Sequence, residues 1–135
     1  VTARVSEVSA RPAVRERVNA ALRMAAEEVG LVVDGRDIGT AVFPGAFLKI
    51  FLTASAEERA RRRLAERRAD VDGADEGALT AEAERLRQRD DYDASRVVDP
   101  LARAEDAVEL DSTERGRAEI VDEIVRLYEA RASRS

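Results

Sequence analysis

The sequence predicts an α/β domain in which a parallel sheet is flanked by helices, and three observations carry that prediction. Short apolar runs over 31–33, 48–52 and 107–111 read as buried strands. Stretches with apolar residues at three-and-four spacing separate them, so helices intervene. Strands joined by helical crossovers run in the same direction.

Composition narrows the chemistry. A chain of 135 residues is one modest domain, taken here as 1–135, and 44% hydrophobic residues against 38% charged suit a packed core. No apolar run is long enough to cross a bilayer and no signal-peptide pattern opens the chain, so a cytoplasmic protein without a membrane partner is expected. Cysteine and histidine are both absent, which removes thiol nucleophiles, imidazole bases and the usual zinc ligands. A net charge of -5 argues against nucleic acid as a partner. Lys49 is the sole lysine among 23 basic residues, and an arginine bias of this kind suits anion sites, because guanidinium forks grip phosphate with paired hydrogen bonds.

In chain order, residues 1–10 read as the end of a helix. Pro12 suits the first turn of the next, whose apolar face is Val14, Val18, Ala21, Leu22, Ala25, Ala26 and Val29, with Gly30 as its stop. Ser6 and Arg15 lie near the junction of these helices. The run 31–33 stops at Asp34-Gly35, so Asp34, Arg36 and Asp37 emerge at a strand's carboxyl end, where open parallel sheets bind ligands. An ordinary turn with solvated charges reads the same way.

Residues 41–47, with Pro44 and Gly45, read as a loop before the second strand, which contains Lys49. Ser55 and Glu58 have the spacing of a capping box. The helix that follows carries Arg59, Arg61, Arg62, Arg63, Arg67 and Arg68, either as a solvated face interleaved with Glu57, Glu58 and Glu66 or as an arm that closes over phosphates. Residues 70–77 read as the turn at its tip. The return helix starts near Leu79 and places Arg89, Asp93 and Arg96 on one face, and Asp99-Pro100 ends it. After the third strand, Ser112-Thr113 begins a closing helix with Ile120, Val121, Ile124, Val125 and Tyr128 facing inward.

The segments Val33-Asp34-Gly35-Arg36-Asp37-Ile38-Gly39-Thr40, Lys49-Ile50-Phe51-Leu52, Glu57 to Arg63, the R-D-x-x-D-x-x-R of Arg89 to Arg96, and Leu110-Asp111-Ser112-Thr113 together resemble bacterial cytidylate kinase. The resemblance implies the nucleoside monophosphate kinase version of the phosphate-loop α/β fold. It also implies transfer of the γ-phosphoryl of ATP to CMP or dCMP with Mg²⁺. By resemblance, Ser6, Arg15 and Asp37 recognise cytosine, Arg36 and Arg96 hold the CMP phosphate, and Arg89 and Asp93 orient the ribose and lower end of the nucleotide. Asp34 orients Mg²⁺ through water, and Arg59 and Arg63 are the arginines of the lid. On this pattern 1–30 is the end of the CMP-binding insert with its following helix, and about 55–96 is the lid with adjoining helices.

One part of the pattern is absent. Such kinases carry a strand, a G-x-x-x-x-G-K-[ST] loop and a helix that cradle the ATP phosphates, and this sequence contains no such motif. The first strand and phosphate loop of the fold are therefore expected to be missing. The chain is expected to be a carboxyl-terminal portion that works with a missing amino-terminal segment or a complementing chain. Its alternative is a non-catalytic CMP-binding module; an α/β interaction domain with arginine-rich helices is the generic reading.

Overall fold

The computed structural model describes residues 11–67, 76–96 and 100–134, so the expected helix over 1–10, the tip over 70–75 and Asp99 lie outside the described residues. Helix α1 is Pro12–Glu28, and a single π-helical turn follows at Ile38–Val42. Strand β1 is Ile50–Thr53, helices α2 and α3 are Ala56–Arg67 and Glu76–Ala94, strand β2 is Val108–Asp111 and helix α4 is Arg117–Ala132. The strands pair in parallel with Ile50 opposite Val108 and Thr53 opposite Asp111. The α/β class and the parallel direction thus hold.

The expected strand over 31–33 does not form. A strand exists only where its N–H and C=O groups find a ladder, and the described sheet consists of β1 and β2 alone. Val32 is wholly exposed and Leu31 partly so. The same lack of a covering layer explains the apolar face of α1, where Val18 and Met24 remain exposed. Pro12 does occupy the first turn of α1, which ends one residue before Val29. A side chain rather than a core holds α1 to the next element. Arg23 donates from Nε to the Val42 carbonyl at 3.0 Å and from Nη2 to that of Ala41 at 2.9 Å. Ala41 and Val42 accordingly belong to the π turn and not to the expected loop.

Half of the capping box is present. Ser55 Oγ accepts the Glu58 N–H at 3.2 Å, but the Glu58 carboxylate turns away to Arg61 and, at 2.9 Å, Arg62. The hydrogen bond from Arg62, with Arg61 beside it, holds the pKa of the Glu58 carboxyl below its ordinary value. The Ser55 N–H instead meets Thr113 Oγ1 at 2.9 Å, and the Thr113 hydroxyl donates onward to Asp111 Oδ1 at 2.6 Å. Ser112 completes a latch between the strand ends. Its hydroxyl donates to the Thr53 carbonyl at 2.9 Å and accepts from Arg62 Nη1 at 3.0 Å. Because Ser112 and Thr113 are occupied in this way, α4 starts at Arg117 behind Gly116, later than expected.

Helices α2 and α3 pack antiparallel over Ala60, Ala83 and Leu86, with Ala56 and Leu79 at the margin. Alanine at the contact lets the two backbones approach closely, and burial of Leu86 contributes about 1.5–3 kcal/mol. Glu76 and Gly77 lie in the first turn of α3, not in a loop, and the helix closes at Ala94, well before Pro100. On α4 only Ile120 is buried outright; Val121, Val125 and Tyr128, expected to face inward, are about half exposed because no further layer covers them. Phe47 meets the Tyr128 ring edge-on, with centroids 5.3 Å apart.

Candidate nucleotide site

The carboxyl-terminal turns of α3 organise the site around one carboxylate. The Asp93 side chain is 2% exposed, and the guanidinium groups of Arg36, Arg89 and Arg96 surround it. Arg36 Nε lies 2.7 Å from Asp93 Oδ2, Arg96 touches Oδ1, and Arg89 Nε stands off at 3.9 Å. Despite these contacts Asp93 Oδ2 is buried without a hydrogen bond among the described residues. Arg96 Nε is likewise buried and unpartnered among them. Charge proximity, not hydrogen-bond geometry, holds the cluster.

Arg96 was expected on the same helical face as Arg89 and Asp93. It lies two residues beyond the end of α3, yet the turn brings it back onto Asp93. Two contacts fix that turn. The Arg96 guanidinium sits 5.4 Å from the centre of the Tyr92 ring, and the Asp93 carbonyl accepts the Leu101 N–H at 2.9 Å.

Asp90 extends the cluster towards α2. Its Oδ1 accepts from Arg36 Nη1 at 3.3 Å, and its Oδ2 is 2.6 Å from Arg59 Nη1. The two candidate arginines of α2 therefore part company. Arg59 joins the Arg36 network, whereas Arg63 Nε lies 3.2 Å from Glu82 Oε1, beside Arg67 and Arg85 on the same buried carboxylate. Sequence reasoning missed Asp90, Glu82 and Tyr92. The signal for Asp90 was its i, i+3 spacing to Asp93, which places both on one face of a helix.

Arg15 and Asp37 meet in an ion pair between α1 and the segment ahead of the π turn, with both side chains largely buried. Ser6, the third residue of that expected group, lies outside the described residues. Asp34 is exposed and makes no ion pair with the arginine cluster among the described residues. Lys49 serves the fold. Its buried Nζ donates to the Pro44 carbonyl and to Asp106 Oδ1, the latter at 2.8 Å.

Comparison with known proteins decides the family. The family model described as cytidylate kinase matches residues 1–130. The chain belongs to the cytidylate kinase family. It is 51% identical over 126 residues to a cytidylate kinase of Pseudomonas aeruginosa (strain LESB58), covering 93% of this chain and 54% of that protein. A cytidylate kinase of Pseudomonas fluorescens (strain SBW25) is 49% identical over 120 residues, 89% of this chain and 51% of its own length. A cytidylate kinase of Listeria monocytogenes serotype 4b is 46% identical over 129 residues, 96% and 56%. The chain spans about half the length of the curated relatives it matches.

Within this cytidylate kinase family chain, no group of three or more potential metal ligands occurs among the described residues. A metal held by an all-protein cage does not fit these residues. A single open carboxylate such as Asp34 does fit a Mg²⁺ ion that keeps its water shell. No helix among the described residues is long and apolar enough to cross a membrane.

Proposed function

We propose that the full-length protein transfers the γ-phosphoryl of ATP to CMP or dCMP, and that this chain supplies the monophosphate side of the site. The observation that carries the reading is the charge balance around Asp93. The guanidinium groups of Arg36, Arg59, Arg89 and Arg96 face the carboxylates of Asp90 and Asp93, four positive charges against two negative, leaving +2. A phosphate monoester carries about -1.5 to -2 at neutral pH, so it would neutralise the cluster.

In this reading Arg36 and Arg96 grip the CMP phosphate, and Asp93 keeps their guanidinium planes turned towards it. Arg89 stands at the margin beside the ribose. The paired Arg15 and Asp37, with Ser6, read the cytosine edge, since a guanidinium and a carboxylate together offer both donors and an acceptor. Arg59 and Arg63 belong to the lid, with Arg59 closer to the acceptor phosphate through Asp90. Asp34 would hold Mg²⁺ through water, and that ion supplies charge neutralisation of the phosphate oxygens. Positioning and charge stabilisation are what phosphoryl transfer requires, so the absence of histidine and cysteine is no obstacle.

The chain alone is proposed to be inactive, because its sequence contains no G-x-x-x-x-G-K-[ST] motif to cradle ATP. Loss of one oxyanion-type donor costs about a hundred- to a thousandfold in rate, and a phosphate loop supplies several. Its amino-terminal segment, or a complementing chain, would restore them. One observation favours the second reading, a non-catalytic CMP-binding module: the cationic cluster around Asp93 is built wholly from residues of this chain.

Full-length protein should convert CMP to CDP in preference to AMP, and Arg36→Ala should lower the rate by about a hundredfold or more. Undiminished turnover in that variant, or no preference for CMP, would overturn the kinase reading. CMP binding by the bare chain, abolished by Arg36→Ala, together with an inactive full-length protein, would establish the second reading.

A further inference from the structure

Asp90 is the carboxylate of the cluster that reaches α2, and its two oxygens serve different elements. Oδ1 takes Arg36, from the segment ahead of the π turn, and Oδ2 takes Arg59, from α2. The two bonds are unequal. The contact to Arg59 is 2.6 Å, and that to Arg36 is 3.3 Å. Arg36 is shared in turn, since its Nε also lies 2.7 Å from Asp93. Asp90 itself is partly buried at the joint between these elements.

We propose that Asp90 is a positioning residue that couples the acceptor phosphate to the arginine arm, an inference that rests on the kinase reading above. An incoming phosphate dianion competes for Arg36 with the carboxylates already beside it. The longest of those contacts, the one to Asp90 Oδ1, yields first. Asp90 is then left with Arg59 as its single guanidinium partner, and a carboxylate no longer shared between two guanidinium groups is free to align both oxygens on the one that remains. Occupation of the acceptor site thereby fixes Arg59 in place on α2. By thermodynamic linkage the effect is reciprocal, so a polyphosphate that engages the arm favours the acceptor nucleotide by the same factor. No residue of the phosphate grip needs to touch the donor for the two sites to communicate.

The test is made on full-length protein by titration calorimetry, measuring the dissociation constant of a non-hydrolysable ATP analogue with and without saturating CMP. Parent protein is expected to bind the analogue about fivefold or more tightly when CMP is present. In Asp90→Asn that ratio should fall to near one, and Asp90→Glu, which keeps the charge, should recover part of it. A residue that only supports the fold would weaken both affinities and leave the ratio unchanged, so an unaltered ratio in Asp90→Asn overturns the proposal. Absence of coupling in the parent overturns it as well. If the parent binds the analogue but not CMP, the kinase reading falls and the coupling falls with it.

Discussion

Lys49 Nζ lies 2.8 Å from Asp106 Oδ1, a residue 57 positions further along the chain. The pair closes the segment before β1 against the segment before β2, and without it the buried ammonium would keep the Pro44 carbonyl but lose this counter-charge. The hydrogen bond from Lys49 is the main cause that holds the Asp106 carboxyl below its ordinary value of 3.8. A carboxyl made more acidic by folding adds stability above its unfolded pKa and loses it as pH falls through the folded one. Asp106→Asn should therefore destabilise the protein at pH 7, and the difference from the parent should narrow below pH 3.8. Urea unfolding at pH 7 and pH 3 checks this; an equal gap at both would show that the charge is not responsible.

Asp93→Asn removes the one buried counter-charge shared by Arg36, Arg89 and Arg96. Breaking a buried ion pair from one side costs about 3–5 kcal/mol, and because these guanidinium groups keep some contact with water the lower figure is expected. Unfolding free energy should fall by about 3 kcal/mol, and CMP affinity should fall with it. A variant as stable as its parent would mean that Asp93 does not organise the cluster.

The hydroxyl of Thr113 both receives the Ser55 N–H and donates to Asp111. Thr113→Val keeps the shape and removes both bonds, leaving the first N–H of the α2 cap unpaired at a cost of about 1 kcal/mol. Thr113→Ser should restore the parent's melting temperature. An unchanged melting temperature in Thr113→Val would mean that the two hydrogen bonds do not stabilise the fold.

A β-carbon added at Gly35 would sit 2.6 Å from Ile38 Cγ1, closer than such atoms approach. Ile38 opens the π turn, so Gly35→Ala must displace the Ile38 side chain, the turn it starts, or the intervening Arg36 and Asp37. CMP affinity of the full-length protein should drop by about tenfold, the size of one lost hydrogen bond to a charged group. Adding Ile38→Ala removes the clash and should recover most of the loss. If the double variant binds no better than the single one, the glycine acts through something other than this contact.

The sequence disclosed the site better than the sheet that was expected to carry it. Asp93 with its arginines could be read because helical spacing alone brings Arg89 and Asp93 together. Arg96 could be placed there only for the wrong reason, since a turn over Tyr92 delivers it, not a helical face. The run at 31–33 has the composition of a strand, but composition says nothing of whether a ladder partner is present. The same limit applies to Val121 and Val125, whose spacing marks a buried face although no layer covers them. Ser112 and Thr113 were read as a helix start because their hydroxyls suit a cap. Their partners at Thr53 and Ser55 lie across the fold, and no local pattern announces them.

Ala60 and Ala83, both almost fully enclosed, form the seam between α2 and α3. Close-packed interiors resist continuous sliding, and a seam this narrow leaves no slack for one helix to roll over the other. The hairpin should therefore swing like a paddle. Arg59 and Arg63 would travel together with a fixed spacing between them, so the arm presents its charges to a ligand as a set and cannot offer them one at a time.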